Sequence, residues 1–118
     1  MPFSITRLRQ RLRHRRARRI TLDRARDRVR RGAAYLDEVD PEWYRRVDPV
    51  TLKLSSGSSC VLGQLHGSFR TGLSRARLID MSSAPRVSLS PVAYGFQCVE
   101  GVSEAMHERD YAYLDLAW

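Results

Sequence analysis

Thr21-Leu22-Asp23-Arg24-Ala25-Arg26-Asp27-Arg28-Val29-Arg30-Arg31-Gly32-Ala33-Ala34-Tyr35-Leu36 is the stretch on which the fold of this chain turns. Leu22, Ala25, Val29, Ala33 and Leu36 recur at steps of three and four residues, the spacing that lines one face of an α-helix. Thr21 offers a hydroxyl to cap the first turn, and Asp23 sets a carboxylate at the positive end of the helix dipole. The pattern predicts a helix over residues 22–38 with one apolar stripe, and such a stripe needs a body to pack on. The same helix is crowded with arginine toward its start, so it reads as the joint between a basic arm, residues 1–31, and a folded body, residues 32–118.

Working outward toward the N-terminus, the charge becomes extreme. Thirteen of the twenty arginines fall within residues 1–31, opposed there only by Asp23 and Asp27 for a formal +11, whereas residues 32–118 carry −3. The net +8 is therefore a property of the arm. Like charge at this density repels itself unless a polyanion neutralises it, and the usual polyanion is a nucleic acid. Arg7, Arg9, Arg11, Arg13, Arg15, Arg16, Arg18, Arg19, Arg24 and Arg26 are the expected phosphate contacts, since guanidinium groups pair bidentately with phosphate, stack on bases and stay charged at any relevant pH. His14, set among them, reads as a further phosphate contact. The near-exclusive use of Arg over Lys favours RNA over DNA. Ser4 is an expected cap for a helix over 5–19 with Ile5, Leu8 and Leu12 on one face, but Arg15, Arg16 and Arg19 then interrupt the stripe. A seam that narrow does not fold by itself, so the arm is expected to order on a partner. An acidic protein surface or anionic lipid would satisfy the same charge. An Arg-rich, acid-poor start also matches organellar transit peptides in composition, against which the arm is read as retained.

Toward the C-terminus the chain reads as one small domain, mainly α with at most a short β element. Asp40-Pro41-Glu42-Trp43 has the make-up of a helix start, and Trp43 is the expected principal core anchor. Asp48-Pro49 marks a turn, Leu52 and Leu54 alternate as a short extended piece, and Ser55 to Ser59 form a loop. Ser59 is the expected cap of a helix carrying Val61, Leu62 and Leu65, after which Phe69, Leu73 and Leu78 resume helical spacing. Residues 80–91 are rich in Ser and Pro and predict a loop with an edge strand at Val87 and Leu89. Tyr94, Phe96 and Cys98 alternate as a second strand or a turn packed on the core. Ser103 caps a last helix that places Met106, Asp110, Tyr113 and Ala117 on one face. With this core assigned to the body, a chain starting near Gly32 is expected to fold without its arm. No run approaches the roughly 20 apolar residues of a membrane span and no secretory signal is evident, so the expected setting is the cytoplasm of a bacterial or phage-infected cell, or a virion.

The residues offer little for catalysis. Cys60 and Cys98 have apolar neighbours and predict buried, reduced thiols, for which serine is the worse substitute and alanine the milder one. Cys60, Cys98, His66 and His107 lack the spacing of a zinc site, Ser58, His66 and Asp80 are a trio that chance supplies, and Gly63, Gly67 and Gly72 fit neither a P-loop nor a dinucleotide fingerprint. Asp37, Glu38, Asp40 and Glu42 form the acidic cluster, explained by capping or by answering the arm. The expectation is a protein that is not an enzyme and takes no metal or other cofactor. In Cys60-Val61-Leu62-Gly63-Gln64, Cys60 and Gln64 are the body's candidate partner contacts; the structural alternative is an apolar helix face with Gly63 at a close approach and Gln64 bonded to buried backbone.

That motif also carries a resemblance. With Gly32-Ala33-Ala34-Tyr35-Leu36-Asp37, Pro41-Glu42-Trp43, Leu54-Ser55-Ser56, Tyr94-Gly95-Phe96 and the terminal Tyr111-Ala112-Tyr113-Leu114-Asp115-Leu116-Ala117-Trp118, residues 32–118 resemble small proteins of unknown function from actinobacteria and their phages. Members often have a second cysteine three residues before the position of Cys60, where this chain has Gly57. The resemblance implies a phage or actinobacterial setting and no activity. Separately, the run from Arg11 to Arg19 resembles the arginine-rich motifs of viral RNA-binding proteins. Together these readings predict a nucleic-acid-associated accessory protein whose body docks on a larger protein or nucleoprotein assembly. The alternatives are a phage-type protein inhibiting a host factor and a virion protein touching packaged genome.

Overall fold

A computed structural model describes residues 3–75 and 91–118. Leu78, Asp80 and the edge strand expected at Val87 and Leu89 lie outside the described residues. Within them the chain is helical, with five α-helices, one 3-10 turn and no strand: α1 (Phe3–Arg18), α2 (Leu22–Val39), the turn Trp43–Arg45, α3 (Val61–His66), α4 (Phe69–Arg75) and α5 (Glu104–Ala117).

The joint helix forms as its spacing predicts. Thr21 Oγ1 accepts the Arg24 N–H at 3.2 Å, and the buried face of α2 carries Ala25, Val29 and Leu36. This face packs on α5, which Ser103 caps by accepting the Met106 N–H at 3.3 Å, while α3 packs on α4. Leu36, Leu62 and Leu114 are fully buried in the shared core, each burial stabilising by about 1.5–3 kcal/mol. Gly32 lets α2 reach the chain's other end: a Cβ there would strike the Tyr94 carbonyl and come within 2.9 Å of the Trp118 indole. The division at residue 31 falls inside α2, and Ala25, Arg28 and Val29 on its N-terminal side belong to the core. A chain starting at Gly32 would therefore lose part of its core.

Several local expectations are corrected. Asp40 does not start an α-helix; it ends α2, its N–H donating to the Leu36 carbonyl at 2.8 Å while its carboxylate pairs with Arg46. The chain then reverses through Glu42, held in the left-handed region at φ 66°, into the short 3-10 turn. Trp43 is half-buried at the edge of the core because its indole N–H is drawn 2.9 Å to Asp37; Phe96 is the largest fully buried side chain. Helix α3 is capped by Cys60, one residue after Ser59. Of the two readings of the 92–99 segment the turn packed on the core is the one that forms, and no strand forms there or at 52–54, because side chains satisfy the backbone that a strand partner would have taken. The Leu54 N–H donates to Asp115 at 2.7 Å, and the carbonyls of Val92, Ala93 and Gln97 accept from Arg28 and Arg31.

Candidate nucleic-acid interface

Helix α1 has seven arginines and no acid in its sixteen residues. Successive side chains turn by about 100°, which sets Arg7, Arg11, Arg15 and Arg18 along one side and Arg9, Arg13 and Arg16 along the other. Between the two rows runs the stripe of Ile5, Leu8 and Leu12, and instead of packing on the body it stays open to solvent at 59%, 57% and 39% exposure. The seam is too short to fold down, and seven positive charges per four turns keep the helix from collapsing on anything apolar. Its attachment is at the last turn. Arg16 lays its guanidinium over Gly101, and Ile20, in the turn leading to α2, is buried. All eight expected contacts from Arg7 to Arg19 are thus exposed, as are Arg24 and Arg26, the latter 3.9 Å from Asp23 in a solvated pair that contributes under about 1 kcal/mol.

Arg28 departs from this pattern, and the charge count of the arm did not reveal it. It is 6% exposed, and its Nη1 donates to both oxygens of the fully buried Asp110 at 2.9 and 3.0 Å. Nε donates to the Val92 carbonyl at 2.8 Å and Nη2 to the Gln97 carbonyl at 2.6 Å, while Asp110 also accepts the Val99 N–H at 2.7 Å. One guanidinium therefore ties α2, the 92–99 segment and α5 together. The planar fork of arginine is the side chain that can make these bonds at once. The detectable signal was a lone acid, Asp110, on the inward face of the last helix. An acid in that position needs a buried cation.

Beside Arg28 a groove of about 520 Å³ opens between the first half of α2 and the 92–99 segment. Arg19, Arg24 and Arg31 stand at it, and Val92, Ala93 and Val99 supply its apolar surface. Asp27 also borders the groove but is paired with Arg30 at 3.1 Å. Among the described residues no carboxylate pairs with Arg19, Arg24 or Arg31; Arg31 is steadied through its Nε, 3.0 Å from the Ala93 carbonyl. The positive potential of the arm thus continues into a concave surface.

The body's two candidate contacts are committed internally. Cys60 Sγ accepts the Gly63 N–H at 3.2 Å, capping α3 as a serine hydroxyl would, and lies 3.8 Å from the Gly57 carbonyl. A Cβ on Gly63 would collide with the backbone of Gly57 and Ser58, so the glycine permits the cap loop to close. Gln64 accepts the Asp48 N–H at 2.6 Å and donates to the Ser59 carbonyl at 2.9 Å, pinning the loop before α3. Burial pushes the Cys60 thiol above its usual pKa, and burial, with nearby Asp110 adding to it, does the same for Cys98, whose partner is the Tyr111 hydroxyl; burial and then the bond to Cys98 raise Tyr111 in turn. These are protonated, unreactive groups at neutral pH. In the acidic cluster Asp37 holds Trp43, Asp40 pairs with Arg46, and Glu42 lies 3.6 Å from Arg45. Among the described residues no three His, Cys, Asp or Glu side chains gather as a metal site, so Cys60, Cys98, His66 and His107 are not brought together. No described helix is long and apolar enough to cross a membrane.

No family model, curated protein or solved structure matches this chain.

Proposed function

We propose that this chain is a non-enzymatic accessory protein that binds nucleic acid, RNA ahead of DNA, through the arginines of α1 and the turn after it, while the body docks on a larger protein or nucleoprotein assembly. The observation that carries the reading is an acid-free helix whose two rows of arginine both face solvent. Two opposed rows suit a ligand that encloses the helix, as the phosphate walls of a nucleic-acid groove do, better than a flat anionic surface, which reaches one row. RNA takes first place because arginine-rich segments order on shaped RNA. The preference for Arg over Lys decides less than it promises, since Lys53 is the only lysine in the whole chain and the body follows the same habit.

The test is the salt dependence of binding to an RNA hairpin, followed by fluorescence anisotropy. If the eight arginines from Arg7 to Arg19 all meet phosphates, log K falls against log salt with a slope of roughly −5 to −7. Contact by a single row halves the slope, and a slope near zero for the best nucleic-acid ligand removes the reading. Replacing Arg15, Arg16, Arg18 and Arg19 with lysine should weaken RNA binding beyond what retained charge explains, because bidentate and stacking contacts are lost. A second reading is favoured by the open stripe Ile5, Leu8 and Leu12: an arginine-flanked apolar helix also fits the groove of an acidic protein, as a phage inhibitor of a host factor would. In that case Leu8→Ser and Leu12→Ser abolish binding to the partner and leave affinity for RNA unchanged.

A further inference from the structure

We propose that the groove between α2 and the 92–99 segment is a nucleotide pocket, taking one base against Val92, Ala93 and Val99 and its phosphate on Arg19, Arg24 and Arg31. The inference rests on the nucleic-acid reading of the arm and extends it to a defined unit of the ligand. Three arguments support it. Among the described residues, Arg19, Arg24 and Arg31 line one concavity without a carboxylate paired to any of them, and the one carboxylate that also lines it beside them, Asp27, is paired with Arg30, so positive charge is in excess there until an anion enters. The groove's volume of about 520 Å³ lies within the ~300–1,000 Å³ of pockets that seat small ligands, and its surface joins apolar side chains to cations, matching a base joined to a phosphate. Its walls are built in advance. Arg28 bonds the carbonyls of Val92 and Gln97, and Arg31 bonds that of Ala93, so the apolar surface and one of the cations are already in place.

Continuity with the arm supplies the direction of entry. Arg19 belongs both to the run of arm arginines and to the groove, so a strand tracked along α1 arrives at the pocket after the turn at Ile20. A base inside a duplex cannot enter, because its faces are covered by its neighbours. A base of a single strand can, with aliphatic methyls on one face and a guanidinium plane of Arg24 or Arg31 on the other. The groove would therefore convert a charge-driven arm, indifferent to strandedness, into a reader of unpaired nucleotides. The same pocket chemistry would hold a free nucleoside 5′-phosphate.

The experiment uses the full chain and three probes: a mixed-sequence single-stranded RNA of about 20 nucleotides, longer than the ~4–16 a single-strand groove covers, the duplex of the same sequence, and adenosine 5′-monophosphate. The single strand is expected to bind about tenfold more tightly than the duplex, the order of effect of one well-seated base. Ala93→Trp fills the groove while keeping the backbone carbonyl that Arg31 uses, and should erase the tenfold difference with the salt slope of duplex binding unchanged. Val92→Trp, at a half-buried position of the same wall, should do the same if the first tryptophan does not fold, and circular dichroism melts report which variants are folded. Millimolar adenosine monophosphate shifting the amide resonances of Ala93 and Val99 in the wild type, and not in Ala93→Trp, assigns the pocket to free nucleotides as well; shifts with the strand alone assign it to the polymer. A strand-to-duplex ratio that neither variant changes, with steep salt dependence retained, overturns the pocket and leaves the arm reading intact. Loss of salt-dependent binding to both RNAs overturns the arm reading and the pocket with it.

Discussion

Arg28→Met isolates a carboxylate inside the core, and its consequence follows from the bonds described. The substitution leaves Asp110, fully buried, with the Val99 N–H as its remaining hydrogen-bond donor, strips the Gln97 carbonyl of the Arg28 N–H, and leaves the Val92 carbonyl with the Gly95 N–H alone. Removing one partner of a buried ion pair costs about 3–5 kcal/mol, because the survivor keeps its desolvation penalty without its compensation. A domain of this size has a total stability of about 5–15 kcal/mol, so the single variant should lose a third of it or more. Asp110→Leu should cost a similar amount by orphaning the guanidinium. The double variant Arg28→Met/Asp110→Leu removes both charges and should be more stable than either single variant, giving a coupling of at least about 2 kcal/mol in the cycle. Urea denaturation followed by tryptophan fluorescence is a direct assay, since Trp118 stacks on Phe96 at 5.4 Å and meets Trp43 edge-on at 5.7 Å, beside the same core. Both single variants unfolding within about 1 kcal/mol of the wild type would refute the argument, since Arg28 would then be an ordinary surface arginine and α2 would not dock as described.

Other consequences are simpler to state. A chain beginning at Arg19 retains Ile20, the Thr21 cap and all of α2, and should melt cooperatively while losing most of its affinity for RNA; one beginning at Gly32 lacks Ala25, Arg28 and Val29 and should show no cooperative transition by circular dichroism. Cys60→Ser keeps an acceptor for the Gly63 N–H and should cost under about 1 kcal/mol, whereas Cys60→Ala loses the cap of α3 and should cost about 1–2 kcal/mol in urea melts; alanine proving the milder change would reduce the residue to plain packing. With pH, the folded chain holds the protons of Cys60, Cys98 and Tyr111 more tightly than the unfolded chain, whose values are 9.0 for the thiols and 10.0 for the phenol. The stability from these groups is therefore complete below about pH 9 and is lost as pH rises above it, so Tm should fall steadily from about pH 9 to 11, and a flat profile would contradict their burial.

What could be read from the sequence divides along a physical line. Helix α2 was legible almost to the residue, residues 22–38 against Leu22–Val39, because its stripe and its Thr21 cap are local signals. The Ser103 cap of α5 and the apolar face of Val61 and Leu62 were legible for the same reason. The 91–99 segment was not, since alternation at Tyr94, Phe96 and Cys98 is compatible with a strand or a packed turn, and the choice was made by arginines more than sixty residues away. Arg28 was hidden by its company. Thirteen arginines in 31 residues look interchangeable when counted, and nothing in the count marks the one that is removed from water.

Position, however, does mark it. Arg28 follows Ala25 by three residues and precedes Gly32 by four, and Gly32 precedes Leu36 by four, so it lies on the same buried face that the apolar stripe defines. A charge on a helix's inward face requires an opposite charge on the facing element, and Asp110 occupies that place on α5. The two anomalies, a cation in one stripe and an acid in another, predict each other once the helices are packed. The pairing also changes what the arm is. The other twelve arginines are exposed, Arg26 and Arg30 beside Asp23 and Asp27, and the last four, Arg24, Arg26, Arg30 and Arg31, project from a helix whose other face builds the core. Core and proposed interface therefore share α2. If the proposed binding surface is right, it should yield to point substitution on the exposed face, whereas truncation past Thr21 should remove core residues with it.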